Sequence, residues 1–127
     1  MPVNPHDPPV LTVRDIEATC AFYGRALGMA TVATAEGRKA LRFGDRTIDL
    51  LQAGHEPDPE APKALPGTAD LRFLTPTPLA QVIDHLNRVG VPIEEGPLDR
   101  TGPEGPTRSL TLRDPDGNRI EVANAAP

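Results

Sequence analysis

The stretch LRDPDGNRIEVAN, residues 112–124, carries more structural information than any other part of the chain. An Asp-Gly step between runs of alternating apolar residues is a strong short-range hairpin signal. It predicts a turn at DPDGN and then a strand, Arg119 to Ala123, that presents the carboxylate of Glu121 near its end. Working outward, the alternation extends back through Arg108 to Leu112, so two strands flank the turn.

A second run, VLTVRDIEATCAFYGRALGM at residues 10–29, reads as a strand (Val10 to Val13), a tight turn with Asp15 as N-cap, and an amphipathic helix. Ile16, Cys20, Tyr23 and Leu27 recur at helical spacing, and Gly28 ends the helix. Strands are predicted at Met29 to Ala35, Lys39 to Phe43 and Thr47 to Gln52, separated by Glu36-Gly37 and Gly44-Asp45. Residues 53–68 hold four prolines and almost no large apolar side chain, which marks a connection.

The same order then returns. A strand is expected at Asp70 to Thr75, followed by a helix with Thr77 as N-cap and Pro78 at its first position. Leu79, Val82, Ile83 and Leu86 form its apolar stripe, and Gly90 closes it. Strands are predicted near Val91 to Glu94, Arg108 to Leu112 and Arg119 to Ala123, with GPLDRTGPEGP as a turn-rich connection. The chain thus reads as βαβββ repeated, module 8–53 and module 69–124, joined by a proline-rich linker 54–68 within a single domain. Matching the halves sets ALRF (40–43) against SLTL (109–112), TIDL (47–50) against RIEV (119–122), and Pro8 against Asp70.

Strand alternation sends successive side chains to opposite faces. Leu41, Phe43, Ile48, Leu50, Leu71, Phe73, Leu110, Leu112, Ile120 and Val122 are the apolar set expected beneath the helices. The opposite face carries Thr12, Ala40, Arg42, Asp49, Leu51, Asp70, Arg72, Ser109, Thr111, Arg119 and Glu121, a surface suited to a small polar ligand or an ion.

Bulk properties narrow the function. A chain of 127 residues with 18 acidic and 13 basic groups, net charge −5, and no basic run has no footprint for nucleic acid. Its apolar stretches are too short to cross a bilayer, and MPVNPHDPP has neither region of a secretory signal, so no membrane partner and a cytoplasmic location are expected. The lone Cys20 cannot form an internal disulfide and sits in a helical repeat, where a small apolar role is expected. Tyr23 falls on the first helix's stripe and reads as core; His85 and His55 read as solvated helix and linker residues.

The 10–29 run, taken with the late DPDGNxxE, resembles the vicinal oxygen chelate superfamily of lactoylglutathione lyases, extradiol dioxygenases, fosfomycin-resistance thiol transferases and bleomycin-binding proteins. The resemblance covers Val10 to Asn124 and implies an α+β fold, two βαβββ modules forming a U-shaped, partly open mixed sheet with helices on the outer face. It also implies a two-fold homodimer, because members commonly complete their sites between modules.

In that superfamily each half supplies ligands to one divalent cation from its first and last strands. The corresponding positions here are Pro8, Asp49, Asp70 and Glu121, and only Glu121 matches the usual residue types. Pro8 stands where histidine is usual and has no donor atom; Leu51 stands where a further histidine occurs in glyoxalase-like members. His6 lies two residues before Pro8. Glu121, Asp70 and Asp49 could still hold a hard cation. A divalent metal (Mn²⁺, Mg²⁺, Ni²⁺ or Zn²⁺) and a metal-free site fit the residues equally well.

Arg42, Arg72 and Arg119 share the polar face with the three acids, so these six side chains form either salt-bridged walls or an anion clamp. The implied function is a glyoxalase-like enzyme on a small polar or oxygenated metabolite. Glu121 would be catalytic, and Arg42, Arg72, Arg119, Thr12, Ser109 and Thr111 would bind substrate. The alternative is a metal-free small-molecule or antibiotic-binding protein; sparse aromatic content, three Phe and one Tyr without Trp, leaves little for stacking a planar drug.

Overall fold

The computed structural model describes residues 9–34, 37–54, 65–102 and 105–125. Pro8, His6 and His55 lie outside the described residues. Two compact units divide the chain, Met1–Pro66 and Gly67–Pro127. Among the described residues each unit has one helix and a four-stranded mixed sheet, and no helix is long and apolar enough to cross a membrane.

The first unit runs β1 (Val10–Val13), α1 (Ile16–Leu27), β2 (Ala30–Ala33), β3 (Lys39–Phe43) and β4 (Arg46–Gln52). Its sheet order is β1-β4-β3-β2, with β1 parallel to β4 and the other pairs antiparallel. The chain must cross over to put β1 beside β4, and α1 is the crossover, packed on β2, β3 and β4.

Asp15 caps α1 as predicted: its Oδ1 accepts from the backbone N–H of Glu17 at 3.0 Å and of Ala18 at 3.2 Å, an interaction worth about 1 kcal/mol. Gly28, at φ 70°, ends the helix in the left-handed conformation. The buried face of α1 differs from the predicted stripe. Thr19, Phe22, Tyr23 and Ala26 are buried, whereas Ile16, Cys20 and Leu27 are half-buried. Only Tyr23 is common to both lines. The inward line begins on a threonine, and Thr19 tolerates burial because its hydroxyl donates to the Asp15 carbonyl at 3.0 Å. Tyr23 is fully buried, edge-on to Phe22 with ring centres 5.4 Å apart. Leu11, Val13, Leu41, Ile48 and Leu50 complete this core.

The second unit repeats the plan: β5 (Asp70–Leu74), α2 (Leu79–Arg88), β6 (Glu95–Gly102), β7 (Gly105–Arg113) and β8 (Arg119–Ala125), in the order β5-β8-β7-β6. The α+β fold expected from the sequence is present, in two four-stranded mixed sheets. Leu79, Leu86, Val91, Leu110, Leu112, Ile120 and Val122 are buried; Leu71, Phe73, Val82 and Ile83 are half-buried.

Three details depart from the sequence reading. Pro78, with ψ 136°, occupies the N-cap of α2 in place of Thr77 and offers no side-chain cap. The lead-in is held instead by Asn124, whose Nδ2 donates to the carbonyls of Thr75 (2.7 Å) and Thr77 (2.8 Å). Next, GPLDRTGPEGP is mostly strand: β6 spans Glu95–Gly102 and pairs with β7 from Leu98↔Ser109 to Gly102↔Gly105, while residues 91–94 precede the ladder. A strand at a sheet edge needs partners on one side only, and Pro97 falls in the register shift between Glu95 and Leu98, where its missing N–H breaks no ladder bond.

The third departure concerns the internal match. Ala40 pairs with Asp49, whereas Thr111 pairs with Glu121, so Ala40 corresponds to Thr111 and Arg42 to Arg113, two residues away from the ALRF/SLTL match. The cause is the turn. Phe43 and Arg46 flank a two-residue turn, whereas Arg113 and Arg119 flank five residues. A shift of two preserves the side-chain face, so alternation alone could not detect it. The pairings Val10↔Asp49 and Arg72↔Glu121 agree with the Asp49/Glu121 match and with setting Val10 against Arg72.

Candidate functional site

The DPDGN turn is a hydrogen-bonded block. The Asp114 carboxylate is buried; its Oδ1 accepts from the backbone N–H of Asp116 and of Asn118, each at 2.9 Å, and its Oδ2 from Asn118 Nδ2 at 2.8 Å. Asn118, wholly buried, accepts through Oδ1 from the Ala69 N–H at 2.8 Å, which ties the turn to the start of β5. Gly67 completes the junction: at φ 86°, a Cβ there would lie 2.4 Å from the Asp116 carbonyl oxygen. The motif therefore anchors the strand that follows it, and three residues beyond Asn118 that strand delivers Glu121.

Glu121 is on the sheet face opposite Ile120 and Val122, and only 8% of it is exposed. Its cross-strand neighbours are Arg72 on β5 and Thr111 on β7. Arg72 Nε donates to Oε1 at 3.1 Å, and Arg100 Nε lies 3.6 Å from Oε2. Arg100 also donates through Nη2 to Glu95 at 2.7 Å. Arg119, two pairs along, donates to Asp70 at 3.3 Å and to the Thr111 hydroxyl at 3.3 Å. Arg72 Nη2 donates to Thr107 Oγ1 at 3.4 Å, and Thr107 donates on to the Arg100 carbonyl at 3.4 Å. Thr107, Ser109 and Thr111 are a row of buried hydroxyls along β7.

The expected pairing of arginines with acids thus occurs for Arg72 with Glu121 and Arg119 with Asp70. It does not extend to the first unit. There Asp49 is half-buried at the centre of the sheet, beside Val10 and Ala40 in register, and Arg42 is exposed opposite Thr47. Among the described residues no ion pair joins Arg42 to Asp49. Thr12 is buried beside Leu51. Arg100 and Thr107 were missed from the sequence because both fell at or beyond the ends of strands as predicted; reading 95–102 as a strand would have set Arg100 opposite Thr107.

At the end of the same face Arg113 grips Glu94 with two contacts, 2.6 and 3.0 Å. The guanidinium hydrogen bonds hold the Glu94 carboxyl below its ordinary range, and the carboxylate raises the Arg113 pKa in turn.

The donor set does not fit a metal ion at Glu121. Both carboxylate oxygens face guanidinium groups, Asp70 is committed to Arg119, and a dication would have to displace or approach these cations. Among the described residues no three histidine, cysteine, aspartate or glutamate side chains gather into a metal-binding group; Asp70 and Glu121 belong to the second unit and Asp49 to the first. What the second unit's face offers is a fixed carboxylate, guanidinium donors and hydroxyls, the groups that bind and polarise an oxygenated molecule.

A virulence protein of Salmonella typhimurium, STM3117, is 46% identical over 114 residues, covering 90% of this chain and 79% of that protein. A glyoxalase domain-containing protein of Mycosarcoma maydis, RDO1, is 44% identical over 115 residues, 91% of this chain and 65% of its own length; the chain thus spans a little under two thirds of that relative. Among solved structures, one from the mobile metagenome of V. Pseudocholerae superposes with a TM-score of 0.91 at 44% identity, covering 100% of this chain and 98% of that one. One family model matches residues 7–122, a segment that takes in both crossovers, the DPDGN turn and Glu121, and the chain belongs to the Glyoxalase/Bleomycin resistance protein/Dioxygenase superfamily.

Proposed function

We propose that the protein is a glyoxalase-like enzyme that moves a proton on a small oxygenated metabolite without a metal at Glu121. The observation that carries this reading is the state of Glu121: a carboxylate 8% exposed, oriented through Oε1 by Arg72, with Oε2 held, among the described residues, by the 3.6 Å contact to Arg100. Oε2 is therefore the oxygen open to a substrate proton. The proton on a carbon beside a carbonyl passes to Oε2, the C–H electron pair forms a C=C bond as the carbonyl π pair moves to its oxygen, and the resulting oxyanion is held by guanidinium and hydroxyl donors. This reading assigns that task to Arg72, Arg119, Ser109 and Thr111, which share the face of Glu121. For an α-hydroxy ketone, the hydroxyl proton passes from one enediolate oxygen to the other, and Glu121 returns its proton to the neighbouring carbon as the new C=O bond forms, which completes an isomerisation.

The test is proton exchange in D₂O, followed by NMR, on a panel of α-hydroxy ketones and 2-oxo acids with metal-free protein. At least one compound should lose its α-proton signal. Glu121→Gln should slow that exchange by about 100-fold or more, the usual weight of a positioned base. If no compound exchanges, or if a chelator abolishes exchange in the wild type, the proposal is wrong. Binding without exchange would mark a sequestering protein instead.

A further inference from the structure

We infer that Arg100 is the specificity-determining residue of this site, the group that captures an anionic substituent of the ligand in the cavity between Asp99, Arg100, Thr101, Pro106 and Thr107. This inference rests on the proton-transfer reading of Glu121 and names the ligand chemistry it implies, a small molecule bearing a carboxylate or phosphate.

Three observations lead there. The cavity has a volume of about 400 Å³, room for a small metabolite's charged end. Its wall includes Thr107, which is buried and links Arg72 to the Arg100 backbone, so the wall is continuous with the Glu121 network through two hydrogen bonds. Arg100 itself is divided unequally. Its Nη2 is fixed to Glu95 at 2.7 Å, while its Nε stands 3.6 Å from Glu121, beyond hydrogen-bond length. A guanidinium has five N–H donors in a planar fork, so donors remain for an oxyanion after Glu95 is served. The side chain is 41% exposed, which leaves it accessible to a ligand, and Glu95 limits its swing. Asp99, the one acid on the wall among the described residues, is highly exposed and lies 4.0 Å from Arg108.

Capture of an oxyanion by the Nε edge replaces the weak contact to Glu121. Glu121 then keeps Arg72 alone, and Oε2 is released toward the substrate. Binding of the anionic end is thereby coupled to readiness of the base.

The experiment titrates ¹⁵N-labelled protein with inorganic phosphate in one arm and acetate in the other, and sets both beside the exchange assay. The backbone amides of Thr101 and Thr107 should shift in at least one arm, which identifies the anion class. Arg100→Gln should weaken that affinity by about tenfold and Arg100→Lys by less, while Arg88→Gln, at the exposed end of α2, should not. In the exchange assay, Arg100→Gln should raise KM for charged substrates more than it lowers kcat. Amide shifts spread over many arginines, or equal affinity in Arg100→Gln, would overturn the assignment. Exchange that persists unchanged in Arg100→Gln would refute the role of Arg100 and leave the Glu121 reading standing. Oxyanion capture at Thr101 and Thr107 in a protein that exchanges nothing would sink the Glu121 reading alone.

Discussion

Replacing Asn118 with alanine should destabilise the protein far more than a turn residue normally does. Two hydrogen bonds depend on this side chain: a buried one from Nδ2 to Asp114 at 2.8 Å and a half-buried one to Oδ1 from the Ala69 N–H at 2.8 Å. Alanine leaves the Ala69 N–H without its acceptor and takes the Asn118 donor away from Asp114 Oδ2. Each stranded group costs about 1–3 kcal/mol, and since Ala69 is only half-buried, water recovers part of its share; the sum is about 3 kcal/mol. Against a total stability of about 5–15 kcal/mol that is a large fraction, and for a chain of this size it lowers Tm by roughly 10 °C. Asn118→Asp sharpens the argument. It keeps the acceptor for Ala69 but turns a carboxylate oxygen toward Asp114, so it should cost at least as much as alanine. Urea and thermal unfolding followed by circular dichroism give both values. A loss below about 1 kcal/mol for Asn118→Ala, or an aspartate variant as stable as the wild type, would refute the claim that this turn is held by its side chains.

Gly67→Ala should also be severe, about 3 kcal/mol, because a left-handed residue gains a Cβ 2.4 Å from a backbone oxygen, whereas Gly90→Ala, at φ 76° with nothing within 4 Å, should cost only about 1 kcal/mol in the same unfolding assay. Equal losses would contradict the close approach. The Glu94–Arg113 pair makes a pH-dependent contribution: the Glu94 carboxyl is depressed in the folded state, so its stabilisation is complete above its ordinary value near 4.5 and disappears as pH falls through the folded value. Wild type and Glu94→Gln should differ in urea midpoint at neutral pH, converge in acid and converge in high salt; a gap independent of pH would contradict the pairing.

Much of the fold was legible because its signals are local. Asp15 capping α1, Gly28 ending it and the Asp-Gly hairpin each depend on a few adjacent residues, and the repeated order of elements followed from them. The reading failed where a partner strand outranked composition. Residues 95–102 look like loop, with Gly96, Pro97 and Gly102, yet they pair with β7 because the edge of the sheet supplies a complete ladder on one side. The stripe of α1 was misplaced for a similar reason: Thr19 counts as polar in sequence, and its hydroxyl is satisfied within its own helix turn.

The sequence by itself determined the elements, their duplication and the sheet face to which Glu121 belongs, because capping, turn chemistry and strand period act over a few residues. Only the tertiary structure decided what Glu121 meets. Arg72 lies 49 residues before it and Arg100 lies 21 before it, and both reach the carboxylate through strand registers that periodicity leaves free by steps of two. The same registers set an arginine and a threonine beside Glu121 but valine and alanine beside its counterpart Asp49, giving equivalent acids different surroundings.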